Sequence, residues 1–98
     1  MPYYADARYA ALAIIKLLNT PLKPPVRWYG IHPDRHPQIS EWLIDADGVT
    51  GWSSGERVLL GIVRAVYNGT GTTALTDLRL LDTQLRAKVL GILTQAWT

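Results

Sequence analysis

One segment near the middle of the chain decides the fold: residues 53–69, which read SSGERVLLGIVRAVYNG. Ser53 and Glu56 have the spacing of a capping box, in which each side chain bonds the other residue's backbone N–H. Gly69 stands where a glycine commonly closes a helix. Between these signals apolar residues recur with the 3.6-residue period of a helix, at Val58, Leu59, Ile62, Val63 and Val66. The segment therefore predicts a complete amphipathic helix.

Further helical patterns lie on both sides of this segment. Upstream, residues 3–18 carry an apolar stripe at helical spacing, and Pro21 ends it. Downstream, residues 72–80 form a short helical pattern, and residues 83–96 form a longer one with Asp82 as its cap. Gly61 and Gly91 each lie in the middle of a predicted helix, where they either allow a close crossing of the two helices or are ordinary surface glycines.

The segment 20–37 contains five of the six prolines and predicts an irregular connector. Residues 26–31 within it read as a short extended piece that carries Trp28 and Tyr29. One strand cannot form a sheet alone, so we expect this piece to pack on the helices as a loop or to pair with a partner. Pro37 suits the first position of a short helix. The apolar face of that helix would consist of Ile39, Trp42 and Leu43.

The patterns together predict a mainly α fold, a compact bundle of four to five helices with a proline-rich connector. A chain of 98 residues fits a single small helical domain spanning residues 1–98. It contains no cysteine, which excludes disulfides and thiolate zinc sites, and its net charge is only +2. The longest apolar run, residues 9–15, is far shorter than the ~20 residues of a membrane span. We expect a cytoplasmic protein without a membrane partner.

Three catalytic or metal-binding patterns are present but incomplete. Residues 51–55 match the G-x-S-x-G nucleophile elbow, yet both histidines, His32 and His36, lie upstream of Ser53, and the chain is too short for that hydrolase fold. Asp45 and the residues up to Glu56 resemble a calcium loop without its essential glycine. The two histidines are separated by proline and have no third ligand. The sequence predicts no catalytic residue, metal site or cofactor, and hence no enzyme.

The aromatic residues suggest a partner. Trp, Tyr and Arg are enriched at the energetic centres of protein interfaces. The chain concentrates these residue types in one region, at Arg27, Trp28, Tyr29, Arg35, Trp42 and Trp52. We predict a non-enzymatic protein–protein interaction module that uses this region. The alternative is that the tryptophans fill one side of a small core.

Two other functions fit the sequence. The last three helices could form a helix-turn-helix unit that binds DNA. Its base-reading residues would be Gln84, Arg86 and Lys88, with Arg79 on phosphate. Only Leu81 and Asp82 would form its turn, which is shorter than usual. The other alternative is a structural subunit that self-associates, and the sequence leaves the oligomeric state open.

The segment from Trp52 to Gly69, Trp-Ser-Ser-Gly-Glu and then an apolar helix ending Tyr-Asn-Gly, resembles parts of small proteins from actinobacterial phages and prophages. The step Leu80-Leu81-Asp82 into a final helix is similar as well. The resemblance covers roughly the C-terminal half of the chain. It implies a phage-encoded accessory protein in the host cytoplasm and carries no activity to transfer.

Overall fold

Four α-helices, one 3₁₀ helix and a two-stranded hairpin form the part of the chain that the structure, a computed structural model, describes: residues 7–31, 35–69 and 75–96. In chain order these elements are α1 (Ala7–Ile15), β1 (Trp28–Tyr29), β2 (His36–Pro37), α2 (Ile39–Asp47), α3 (Ser54–Asn68), the 3₁₀ helix (Leu75–Leu80) and α4 (Thr83–Ala96). The predicted mainly α bundle with a proline-rich connector is thereby confirmed. Within these ranges, every helix is too short or too polar to cross a bilayer.

Helix α3 has the boundaries that its sequence predicts. The Ser53 Oγ accepts from the Glu56 N–H at 3.2 Å, and Glu56 Oε1 accepts from the Ser53 N–H at 2.8 Å. At the other end Gly69 has φ 65°, a left-handed conformation that costs glycine little, and its N–H bonds the Ala65 carbonyl. Both ends of the helix therefore satisfy their backbone groups locally. Its buried face consists of Val58, Leu59, Leu60, Ile62 and Val63.

Helix α1 is the central element of the core. It packs most extensively on α3 and also touches α4, α2 and β2. Ala10, Ala11 and Ile14 are fully buried on it, and the two alanines permit a close approach of the neighbouring backbone. The α-helix ends at Ile15. The N–H groups of Leu17 and Leu18 then donate to carbonyls three residues back, which is the hydrogen-bond pattern of a 3₁₀ turn. Of the predicted helix 3–18, residues 3–6 lie outside the described residues.

The connector differs from its prediction because the extended piece has a partner strand within the chain. Strands β1 and β2 are antiparallel, with Trp28 opposite Pro37 and Tyr29 opposite His36. The Gln38 N–H donates to the Arg27 carbonyl at 2.8 Å and continues the ladder. Pro37 thus belongs to a strand, and the expectation that it begins a helix is wrong. It is tolerated there because its pairing position needs no donated N–H.

The C-terminal third follows the prediction with two corrections. The helix predicted over residues 72–80 is a 3₁₀ helix in its described part, Leu75–Leu80. Helix α4 has the predicted bounds, and the Asp82 carboxylate accepts from the Leu85 N–H at 2.8 Å as its cap. Its main packing partner is α1. A Cβ built on Gly91 would meet no described atom within 4 Å, so the predicted close crossing at this glycine is wrong.

Candidate partner-binding surface

The structure separates the aromatic cluster of the sequence into a buried pair and an exposed pair. Trp42 is 1% exposed, and its indole N–H donates to the Pro24 carbonyl at 2.7 Å. Trp52 is 8% exposed and donates to the Ala46 carbonyl at 3.0 Å. A buried indole needs such an acceptor for its one donor. Trp42 and Trp52 are therefore core residues, which corrects their assignment to a partner surface.

The exposed pair lies on the hairpin. Trp28 is 45% exposed and Tyr29 is 54% exposed, although adjacent residues of a strand point to opposite faces. Strand β1 consequently has no fully covered face. Ile31, just after it, is 84% exposed. We define the hairpin surface as these three residues together with the exposed Arg27 and Arg35.

The sequence reasoning did not single out Ile31. An isoleucine in a proline-rich connector is ordinarily expected to point inward. The sequence signal for its exposure is the preceding glycine. In the structure Gly30 has a φ of 93° and turns the backbone directly after β1. That turn interrupts the alternation of the strand, so the position of Ile31 does not follow from the spacing of apolar residues.

The base of the hairpin is held in place from several sides. The Tyr9 hydroxyl on α1 donates to the Arg35 carbonyl at 3.4 Å, and Gln38 holds the Arg27 carbonyl. The indole of Trp42 fixes the chain at Pro24, just before β1. The Tyr9 and Trp42 contacts join the hairpin or its approach to helices, and the Gln38 contact extends the ladder between the two strands. The aromatic side chains therefore project from a backbone whose position is already fixed.

Arg27 of this surface is weakly engaged. Arg27 Nη1 lies 3.9 Å from Glu41 Oε2, and the two side chains are 68% and 45% exposed. Exposed pairs of this kind contribute roughly 0–1 kcal/mol because water screens them and side-chain entropy opposes them. The guanidinium of Arg27 can therefore change partners at little cost.

The residues considered for DNA binding are in different situations. Gln84 and Lys88 are exposed on α4, and Arg79 is exposed with its Nε on the Thr76 carbonyl at 3.2 Å. Arg86, in contrast, is partly buried and donates from Nη2 to the Leu81 carbonyl at 3.1 Å. Its Nε is buried without a partner among the described residues. Arg86 is thus used inside the fold, which corrects its assignment as an outward base-reading residue.

Several residues of the catalytic and metal-binding patterns have structural roles instead. Ser53 and Glu56 bond each other's backbone at the start of α3. The Asp47 carboxylate forms an ion pair with Arg64 across α2 and α3. Within residues 7–31, 35–69 and 75–96, no group of three histidine or acidic side chains is placed to hold a metal. His32 lies outside the described residues, whereas His36 is half-buried in β2.

Comparison with known proteins returns no relative: no protein family, no curated protein and no solved structure matches the chain. The resemblance of residues 52–69 to phage proteins stays a prediction. Function is therefore inferred from the chain's own surface.

Proposed function

We propose that the chain is a protein–protein interaction module that docks on its partner through the hairpin surface. The observation that carries this proposal is the joint exposure of Trp28, Tyr29 and Ile31 on a hairpin fixed at its base. Scattered single apolar residues are normal on protein surfaces, but three large ones within four positions are not scattered.

The composition of the surface suits a protein partner. Trp, Tyr and Arg dominate the energetic centres of interfaces because they bury a large area and keep a polar group for hydrogen bonding. A surface that is ordered before binding also loses less conformational entropy when the partner arrives. The contacts of Tyr9, Gln38 and Trp42 supply that order.

We further propose that the module is a phage-encoded accessory protein and that its partner is a host or virion protein in the cytoplasm. The resemblance of residues 52–69 supports the origin. The engagement of Ser53 and Glu56 in capping α3 supports a non-enzymatic role, because neither side chain is left to act on a substrate.

The test uses affinity purification from the native host with the wild type and with the double variant Trp28→Ser/Tyr29→Ser. We expect the partner to be lost from the variant, and a reconstituted complex to bind at least about 30-fold more weakly, since truncating even one hot-spot residue costs about 2 kcal/mol or more. Leu80→Ser is the matched control, because it removes an exposed apolar side chain from another part of the surface. Far-ultraviolet circular dichroism checks that all three proteins are folded.

Unchanged capture by the double variant would overturn the proposal. So would capture that disappears on nuclease treatment, the result expected of a DNA-binding regulator. In that case binding to a DNA duplex should weaken steeply with salt and be lost in the Lys88→Ala/Arg79→Ala variant, while the double hairpin variant binds normally.

A further inference from the structure

A groove of about 630 Å³ lies between α1 and α4, and Tyr9, whose hydroxyl donates to the Arg35 carbonyl, is one of its lining residues. The two helices are antiparallel, since Leu17 and Leu18 at the end of α1 share a cavity with Leu81 and Leu85 at the start of α4. The lining of the groove is mostly apolar and includes Leu12, Ala13, Leu17, Gly91 and Ile92.

The α4 side of this groove is incompletely covered. On α4 only Val89 and Ile92 are buried among the described side chains, and the groove-lining Lys88 and Gly91 are exposed. The open space above Gly91, where a Cβ would meet no described atom within 4 Å, leaves room for a side chain from outside. The groove can therefore accept an apolar residue of another helix.

The charge of the groove restricts what can enter it. Lys16 and Lys88 are the charged residues among its described lining, one on each wall, and none of the described lining residues is acidic. The ion pairs formed among the described residues use Arg27 and Arg64 rather than these lysines. The groove therefore favours a helix face that combines an apolar side chain with carboxylates.

The outer face of α2 has this composition. Ile44 is 71% exposed, and Asp45 follows it. Glu41 lies one turn earlier, so the two carboxylates are i, i+4 neighbours beside the isoleucine. Asp45 forms none of the ion pairs found in the described ranges, and Glu41 has only its loose contact with Arg27.

We propose that the α1–α4 groove of one copy receives the Ile44–Asp45 face of α2 from a second copy. The contact joins two different surfaces, so it is heterologous and leads to head-to-tail assembly. A symmetric contact of groove with groove is disfavoured, because it would bring Lys16 and Lys88 against their own copies. A contact of this small size is typical of weak protein–protein complexes. We therefore expect association only at high protein concentration.

Sedimentation velocity of the full chain at low salt, from micromolar to about millimolar protein, tests the proposal. The weight-average mass of the wild type should rise with concentration and fall again with added salt. Asp45→Lys and Lys88→Glu should each weaken association by about tenfold or more, because each places like charges at the contact. An equimolar mixture of the two variants should associate again, since each retains the surface that the other has lost.

Two further variants separate this contact from a general effect on the fold. Gly91→Leu places a side chain in the groove, and it should raise the melting temperature while abolishing association. Arg57→Glu reverses an exposed charge outside both surfaces and should associate like the wild type. A wild type that stays monomeric to millimolar concentration overturns the proposal. A mixture of Asp45→Lys and Lys88→Glu that stays monomeric, or a Gly91→Leu variant that associates normally, does so as well.

Discussion

Trp42 and Trp28 have the same side chain and lie only fourteen positions apart, yet one is buried in the core and the other is 45% exposed. Trp42 lies on a helix, where Ile39 and Leu43 share its face and α1 and α3 lie alongside. Trp28 lies on a strand with a single neighbouring strand, and it is covered much less completely than Trp42. The comparison shows that the surrounding element, rather than the residue type, decides whether an aromatic residue serves stability or recognition.

The largest expected effect is a loss of stability when the buried tryptophan is removed. Trp42→Ala should destabilise the protein by about 3–5 kcal/mol, because it leaves a large cavity and removes the donor to the Pro24 carbonyl. Urea unfolding measures the change. A loss below ~1 kcal/mol would mean that the indole does not fill the core as described.

A smaller effect is expected at the cap of α3. Ser53→Ala should cost about 1 kcal/mol, since the Glu56 N–H loses its acceptor. Ser53→Asp, which can still cap, should restore most of that stability. Thermal unfolding of both variants tests whether Ser53 belongs to the helical frame, and equal losses in the two would argue against the capping role.

Two glycines should respond in opposite directions. Gly91→Ala should stabilise the protein by up to roughly 1 kcal/mol, because α4 gains helix propensity and the new methyl group meets no described atom. At Gly55 the same change places a Cβ 3.2 Å from the Leu80 carbonyl oxygen, so the gain should be lost or reversed. Paired denaturation curves measure the difference, and an equal gain at both positions would contradict the close approach at Gly55.

The smallest effect on stability is expected when the exposed Trp28 is replaced. Trp28→Ala should change the free energy of unfolding by no more than about 0.5 kcal/mol, as is usual for surface positions. Acrylamide quenching compares the environments directly: removing Trp28 should remove a readily quenched component of the fluorescence that Trp42→Phe leaves intact. If Trp28→Ala destabilises the chain as strongly as Trp42→Ala, the two environments are not different in the way described.

Much of the helical frame follows from the sequence because its signals are local. The capping box at Ser53, the left-handed Gly69 and the cap at Asp82 each act within four residues, and all three occur as expected. The partner of β1 could not be predicted, because β2 is a two-residue strand that contains a proline and has no strand-like pattern of its own.

The partner surface could be located only in outline. Composition identified the region around Trp28 and Tyr29, but it also included Trp42 and Trp52, whose burial depends on how the helices meet. The apolar spacing of Ile39, Trp42 and Leu43 favoured the core for one of them. The Arg86 side chain is held by the Leu81 carbonyl in the tight turn between the 3₁₀ helix and α4. The place of Arg86 on a regular helix does not reveal this contact.

The brevity of the hairpin has a consequence for how the chain behaves when crowded. Long, flat edge strands with unpaired backbone groups and exposed aromatic side chains pair with further strands and initiate fibrils. Here each strand has two residues, and the second contains Pro37, which has no amide hydrogen to offer an incoming chain. The molecule can thus display a tryptophan and a tyrosine to water without providing a template on which sheets would grow.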